Sequence, residues 1–183
     1  MPISKRILFF AAGVIVLTAA LVIIVNAGLP ERAQFTGQIP ADGLVTAPEL
    51  NAIAPSFTLP ALDGSQVSLE RLRGSTVIIN FWATWCEPCR VEMPILQTFY
   101  ETHRNSGLRV LAVNLGETPE AVRTWVDEFG LTFDILLDAQ QTVAGLYQIR
   151  GQPSTYIVSP SGIITAIYYG PVSEEQLRAV VPE

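Results

Sequence analysis

Apolar positions fall into three regimes along the 183-residue chain. From Ile7 to Val25 there are 19 nearly uninterrupted apolar residues, broken only by Gly13 and Thr18. From Ala27 to Asn51 no period is visible, and Gly28, Pro30, Gly37, Pro40, Gly43 and Pro48 punctuate the stretch. From about Ala54 onward, short β-branched runs alternate with segments of helical period, the pattern of an α/β domain.

The first regime is long enough, at 1.5 Å per residue, to span a hydrocarbon core of ~30 Å. Lys5 and Arg6 precede it and Glu31 is the first charge after it, so the positive-inside rule places the remainder outside the cytoplasm. A cleaved signal peptide is the alternative, with Val25-Asn26-Ala27 as a cleavage site. The apolar run exceeds a signal core of ~7–15 residues, which favours an uncleaved anchor. The expected organisation is a cytoplasmic tail over 1–6, a transmembrane anchor (or signal sequence) over 7–26, a flexible linker over 27–53 and a folded domain over 54–183.

Within the domain, Phe57-Thr58-Leu59 and Gln66-Val67-Ser68 flank Asp63-Gly64, a hairpin signal. Ser68 to Leu72 reads as a helical turn ending at Gly74, and Thr76 to Trp82 as a buried strand. Val91, Met93, Ile95, Leu96, Phe99 and Tyr100 recur at helical spacing, with Pro94 expected to interrupt and kink the helix. Arg109 to Leu115 is a second buried strand. Thr118-Pro119-Glu120 starts a helix that buries Val122, Trp125, Val126 and Phe129 and stops at Gly130. Phe133 to Leu137 reads as a strand and Thr142 to Tyr147 as a short helix. Ser154–Val158 and Ile163–Tyr169 form a hairpin, and a helix over Ser173–Val180, capped by Ser173, closes the domain. The sum is a mixed α/β sheet with helices on both faces.

Charge narrows the partners. The net charge is −6, and without Lys5 and Arg6 the chain keeps 9 basic against 17 acidic residues. Such a surface argues against nucleic acid and anionic lipid headgroups.

The two cysteines of the chain, Cys86 and Cys89, stand where the strand ending at Trp82 turns into a helix. The first N–H groups of a helix lack internal partners and carry partial positive charge, which favours a thiolate at Cys86. Trp85 is expected to leave the Cys86 sulfur partly exposed, and Pro88 suits a first turn. Cys89 lies one turn in, close enough for a disulfide whose Cα atoms sit roughly 4.4–6.8 Å apart. A purely structural bond closing so short a loop would stabilise weakly. Zinc asks for four Cys/His ligands, and only His103 is available besides the cysteines. Haem attachment would need His where Arg90 stands. A peroxidase would need Pro and Thr where Ile79 and Ala83 stand. A redox-active pair is the remaining reading.

Four separated segments then carry a resemblance: Asn80 to Cys89, Glu92-Met93-Pro94, Val113 to Glu117, and Gln152 to Ile157. In order and spacing the chain from Ala54 onward resembles the thioredoxin superfamily, and within it the membrane-anchored TlpA/ResA-like thiol-disulfide oxidoreductases. The resemblance implies a thioredoxin-like sheet with an N-terminal hairpin and a central αβ insertion. It implies Cys86 as nucleophile, Cys89 as resolving cysteine and Pro153 as a cis-proline beside them, with Trp85, Glu87, Pro88 and Gln152 supporting the site. Asn80 stands where thioredoxin has a buried aspartate, and Glu92 is the available substitute as proton acceptor for the Cys89 thiol.

The resemblance also implies protein disulfides as substrates, main-chain pairing of substrate beside Pro153, and no metal or organic cofactor. Glu87 and Glu92 oppose a thiolate and Arg90 partly offsets them, which favours a reductant. The family points to the CxxCH disulfide of apocytochrome c, to a membrane thiol reductase of the CcdA/DsbD type as electron donor, and to a single-pass protein of the bacterial cytoplasmic membrane. Alternatives are another envelope target, such as copper-site assembly of cytochrome oxidase or disulfide repair, and a non-catalytic binding module.

Overall fold

The computed structural model describes residues 43–181. The tail expected over 1–6, the anchor over 7–26 and the start of the linker lie outside the described residues. Among the described residues no helix is long and apolar enough to cross a membrane.

A two-stranded hairpin comes first, β1 (Thr58–Pro60) against β2 (Gln66–Ser68), followed by a 3-10 turn over Leu69–Leu72. Its loop is closed by the Asp63 carboxylate, which accepts the Ser65 N–H at 2.8 Å, and by Gly64 in the left-handed region. Then follow β3 (Thr76–Trp82), α1 (Glu87–His103), β4 (Leu108–Leu115), α2 (Pro119–Phe129) and β5 (Asp134–Asp138). Finally come α3 (Thr142–Leu146), β6 (Ser154–Val158), β7 (Ile164–Tyr169) and α4 (Glu174–Val180). The five-stranded sheet has the order β5-β4-β3-β6-β7, with β3, β4 and β5 parallel and β6 and β7 antiparallel to their neighbours. Parallel pairs need crossovers, which α1 and α2 supply.

Strand alternation assigns the two faces. Ile78 and Trp82 of β3 and Val110 and Ala112 of β4 join one apolar cluster with Met93, Leu96 and Phe99 of α1, Val122 and Trp125 of α2 and Leu177 of α4. Val77, Ile79 and Phe81 face the other cluster with the hairpin and with Val143 of α3. Helices therefore cover both faces, as the pattern predicts.

Two local departures have physical causes. Helix α1 is not interrupted at Pro94 but runs on to His103. The proline costs one main-chain hydrogen bond, and burial of Met93, Leu96 and Phe99 on both sides of it holds the helix together. The end of the stretch expected as linker is folded onto the domain. Asn51 donates to the Ile164 carbonyl and Ile164 to that of Ala52, both at 2.9 Å, so this segment pairs with the start of edge strand β7. Burial of Ala52 accompanies that pairing.

Candidate active site

The turn from β3 into α1 carries both cysteines. Ala83 accepts the Cys86 N–H at 3.2 Å, and Cys86 is the N-cap of α1 in extended conformation. Its Sγ accepts the Cys89 N–H at 3.2 Å, so sulfur takes the place that a hydroxyl or carboxylate oxygen fills in most caps. A thiolate at that atom would meet a helix N-terminus with an N–H already aimed at it. Cys86 and Cys89 form a disulfide with Cα atoms 5.3 Å apart. Pro88 lies in the first turn, where its missing N–H costs nothing.

Exposure around the pair differs from expectation in one respect. Trp85 is 69% exposed, and Glu87 and Pro88 are exposed, but Cys86 is only 4% exposed rather than partly exposed. The disulfide turns its sulfur inward to cap the helix instead of outward past Trp85. Cys89 is fully buried.

Strand β6 brings the second half of the site. Phe81 pairs with Ser154, so Pro153 comes one residue beyond, beside the end of β3 from which the cysteine turn departs. The Gln152–Pro153 bond is cis. Gly170 donates to the Pro153 carbonyl at 2.9 Å and Ser154 Oγ to the Gly151 carbonyl at 2.7 Å, fixing this loop from both sides. Gln152 is half-buried, and its main-chain N–H and C=O have no partner among the described residues.

Glu92, one turn after Cys89, is fully buried rather than solvated. Its Oε2 accepts Asn80 Nδ2 at 2.7 Å, and its Oε1 accepts the Val172 N–H at 3.0 Å and Thr155 Oγ1 at 3.4 Å. Asn80 Nδ2 also donates to Thr155 Oγ1 at 2.8 Å. Burial pushes the Glu92 carboxyl up to about 7, against the three donors that favour its charged form. The group can thus hold or release a proton near neutrality. Through Thr155 and Val172 it ties α1 to the strand that follows Pro153 and to the loop that follows Gly170.

Three features were not legible in the sequence. Glu117, read only as part of a matching segment, braces the cysteine turn: its Oε2 accepts the Thr84 N–H and Asn114 Nδ2, each at 2.7 Å, and its Oε1 accepts Thr84 Oγ1 at 2.5 Å. Arg90 is held by Glu128 at 2.7 Å, with its guanidinium 4.9 Å from the Phe129 ring centre, so α2 engages the charge expected to offset Glu87 and Glu92. Val172 enters only through its main chain. A carboxylate in the β4–α2 loop, three residues after Asn114, is the one signal that could have marked Glu117.

A profile of the AhpC/TSA family matches residues 50–167. The chain is similar to the thiol-disulfide oxidoreductase ResA of Geobacillus kaustophilus, 36% identical over 133 residues that cover 73% of this chain and 76% of that one. Among solved structures it is similar to a thiol:disulfide interchange protein of the thioredoxin family from Chlorobium tepidum, with TM-score 0.66 and 25% identity over 73% of this chain and 95% of that one. It is also similar to StoA from Bacillus subtilis, with TM-score 0.61 and 29% identity over 68% of this chain and 95% of that one.

Proposed function

The chain belongs to the AhpC/TSA family, as a thioredoxin-fold thiol-disulfide oxidoreductase of the ResA type, and from that premise we propose that it is an extracytoplasmic reductant of protein disulfides, anchored by residues 7–26 in a bacterial cytoplasmic membrane. The observation that carries the catalytic reading is the disulfide at the start of α1 with a buried, protonatable Glu92 one turn further on.

In the reduced protein the Cys86 thiolate attacks one sulfur of a substrate disulfide. A Cys86–substrate bond forms, the substrate S–S bond breaks, and the departing sulfur takes up a proton. Cys89 then loses its proton to Glu92 and attacks Cys86 Sγ, which closes the Cys86–Cys89 bond and releases the second substrate thiol. Two electrons pass from the protein dithiol to the substrate. Trp85, Glu87 and Pro88 surround the exposed approach to Cys86, while the free main chain of Gln152 beside Pro153 offers a strip for an extended substrate. No metal or organic cofactor enters these steps.

A dithiol reductant outside the cytoplasm needs electrons from within, so a membrane thiol reductase of the CcdA/DsbD type is the proposed donor. The CxxCH disulfide of apocytochrome c is the proposed substrate; copper-site assembly or disulfide repair would use the same chemistry. The Cys89→Ala protein tests the reading, because its Cys86 mixed disulfide cannot be resolved. Recovery of apocytochrome c linked to Cys86 is expected. Absence of any trapped protein disulfide overturns the reductase function, and capture of a different envelope protein overturns the cytochrome role.

A further inference from the structure

A cleft of about 670 Å³ opens beside the Gln152–Pro153 loop. Its lining includes Arg150, Gln152, Pro153, Tyr169 and Glu49, but neither cysteine, Trp85 nor Glu92. It therefore shares one wall with the dithiol site without being part of it. Gly170, whose N–H holds the Pro153 carbonyl, closes the same wall.

Arg150 is exposed and unengaged. Arg73, Arg90, Arg109 and Arg178 are each paired with a carboxylate, and Arg123 donates to the Leu62 carbonyl. Arg150 has no such partner among the described residues, and Glu49 lines the same cleft without pairing with it. At the rim Tyr169 is a large aromatic, 77% exposed, whose side chain is hydrogen-bonded to that of Tyr156. An unpaired arginine and an exposed tyrosine at a cleft are the residue types that carry binding energy at protein interfaces.

Resting on the reductase reading above, we propose that this cleft is a specificity site for the protein substrate, receiving the segment that flanks its disulfide, with an acidic side chain at Arg150 and an apolar or aromatic one against Tyr169. A substrate strand aligned on the free main chain of Gln152 has its next residues directed along Gly151 and Arg150. Two residues of extended chain span ~7 Å, which places the acidic position two to four residues from the reactive cysteine. The inference opposes the bulk field: with a net charge of −6 the protein as a whole favours basic substrates. A preference for acid must therefore come from a local cation.

The test uses the reduced protein and three disulfide peptides that differ only in Asp, Asn or Lys, three residues from the cysteine, in N-side and C-side versions. The wild type is expected to reduce the Asp peptide about two- to fivefold faster in kcat/KM than the Lys peptide on one of the two sides, as suits an exposed ion pair. Salt should shrink the difference. Arg150→Gln should abolish the ratio and Arg150→Glu reverse it; a ratio taken within one protein cancels any effect on fold or dithiol. A Lys preference in the wild type, or the same ratio in all three proteins, overturns the proposal. Failure of the wild type to reduce a small-molecule disulfide instead removes the reductase reading, and this inference with it.

Discussion

Asn80 of β3 donates its amide to the Glu92 carboxylate of α1 across 2.7 Å, inside the core and out of contact with solvent. A strand and a helix are thereby joined by a hydrogen bond to an ionisable group that burial pushes up to about 7. The Asn80 Oδ1 has no hydrogen-bond partner, while its amide nitrogen serves both Glu92 and Thr155.

That displacement makes stability depend on pH, and the sign follows from linkage. The unfolded carboxyl titrates near 4.5 and the folded one near 7. Between these values the folded state binds the extra proton, so its contribution is fully present below about 4.5 and is lost as pH rises to about 7. The size is about 3 kcal/mol from ~1.4 kcal/mol per unit. Denaturant unfolding of the oxidised protein and of Glu92→Gln from pH 4.5 to 8 should show the wild type losing that much relative to the variant. Parallel profiles would mean that Glu92 does not titrate in this range.

Turnover should report the same group. If Glu92 takes the Cys89 proton, the resolving step needs it ionised, and the rate should rise with pH through about 7. Glu92→Gln should slow resolution by roughly 10²–10⁴-fold and lose that limb, as followed by single-turnover release of a trapped substrate thiol. Loss of rate with the limb intact would assign the proton acceptor elsewhere.

Patterning made the element order legible, because the central strands are short apolar runs buried almost throughout and the longer helices bury one stripe. The cysteine motif was legible for a different reason: its chemistry depends on local spacing, which sequence records directly, whereas Pro153 was legible only through the family resemblance. The role of Glu92 was legible, but its partners were not, since Thr155 and Val172 stand 63 and 80 positions away. The Glu117 brace and the Arg90–Glu128 pair were hidden for the same cause. A polar side chain on a helix or loop reads as solvated until the fold supplies its partner.

Glu117 offers a direct check of the brace on the cysteine turn. Glu117→Ala leaves the half-buried Thr84 N–H and the buried Asn114 amide without their acceptor. The loss of a charge-assisted acceptor should destabilise the protein by about 1–3 kcal/mol. The turn ahead of Cys86 should loosen, and amide exchange at Thr84 and Trp85 should accelerate. Unchanged exchange there would show that the turn is held by the helix start alone.

Membrane topology can be examined without any variant. With Lys5 and Arg6 ahead of the apolar run, the domain is expected outside the cytoplasm. Protease added to intact spheroplasts should remove it, and protection until lysis would reverse the orientation.

Replacing Asn80 by aspartate puts a second carboxyl where the amide now donates. Two carboxylate oxygens 2.7 Å apart in a buried site cannot both be ionised, so the pair should keep one shared proton well above neutrality. Its two steps would then belong to the pair and not to either residue. In the wild type at pH 7, folding takes up about half a proton at Glu92, since the folded group titrates at about 7 and the unfolded one is ionised. In Asn80→Asp it should take up about one. The slope of unfolding free energy against pH near 7 should therefore steepen from about −0.7 to about −1.4 kcal/mol per unit. The wild-type amide satisfies the charged form of Glu92; the variant carboxyl removes that donor and asks for a proton in its place. The ionised base should consequently be scarcer at pH 7, and the resolving step slower there, recovering only at higher pH. A slope equal to that of the wild type would mean that the introduced carboxyl and Glu92 do not share a proton, and that the Asn80 amide is not what supports the Glu92 carboxylate.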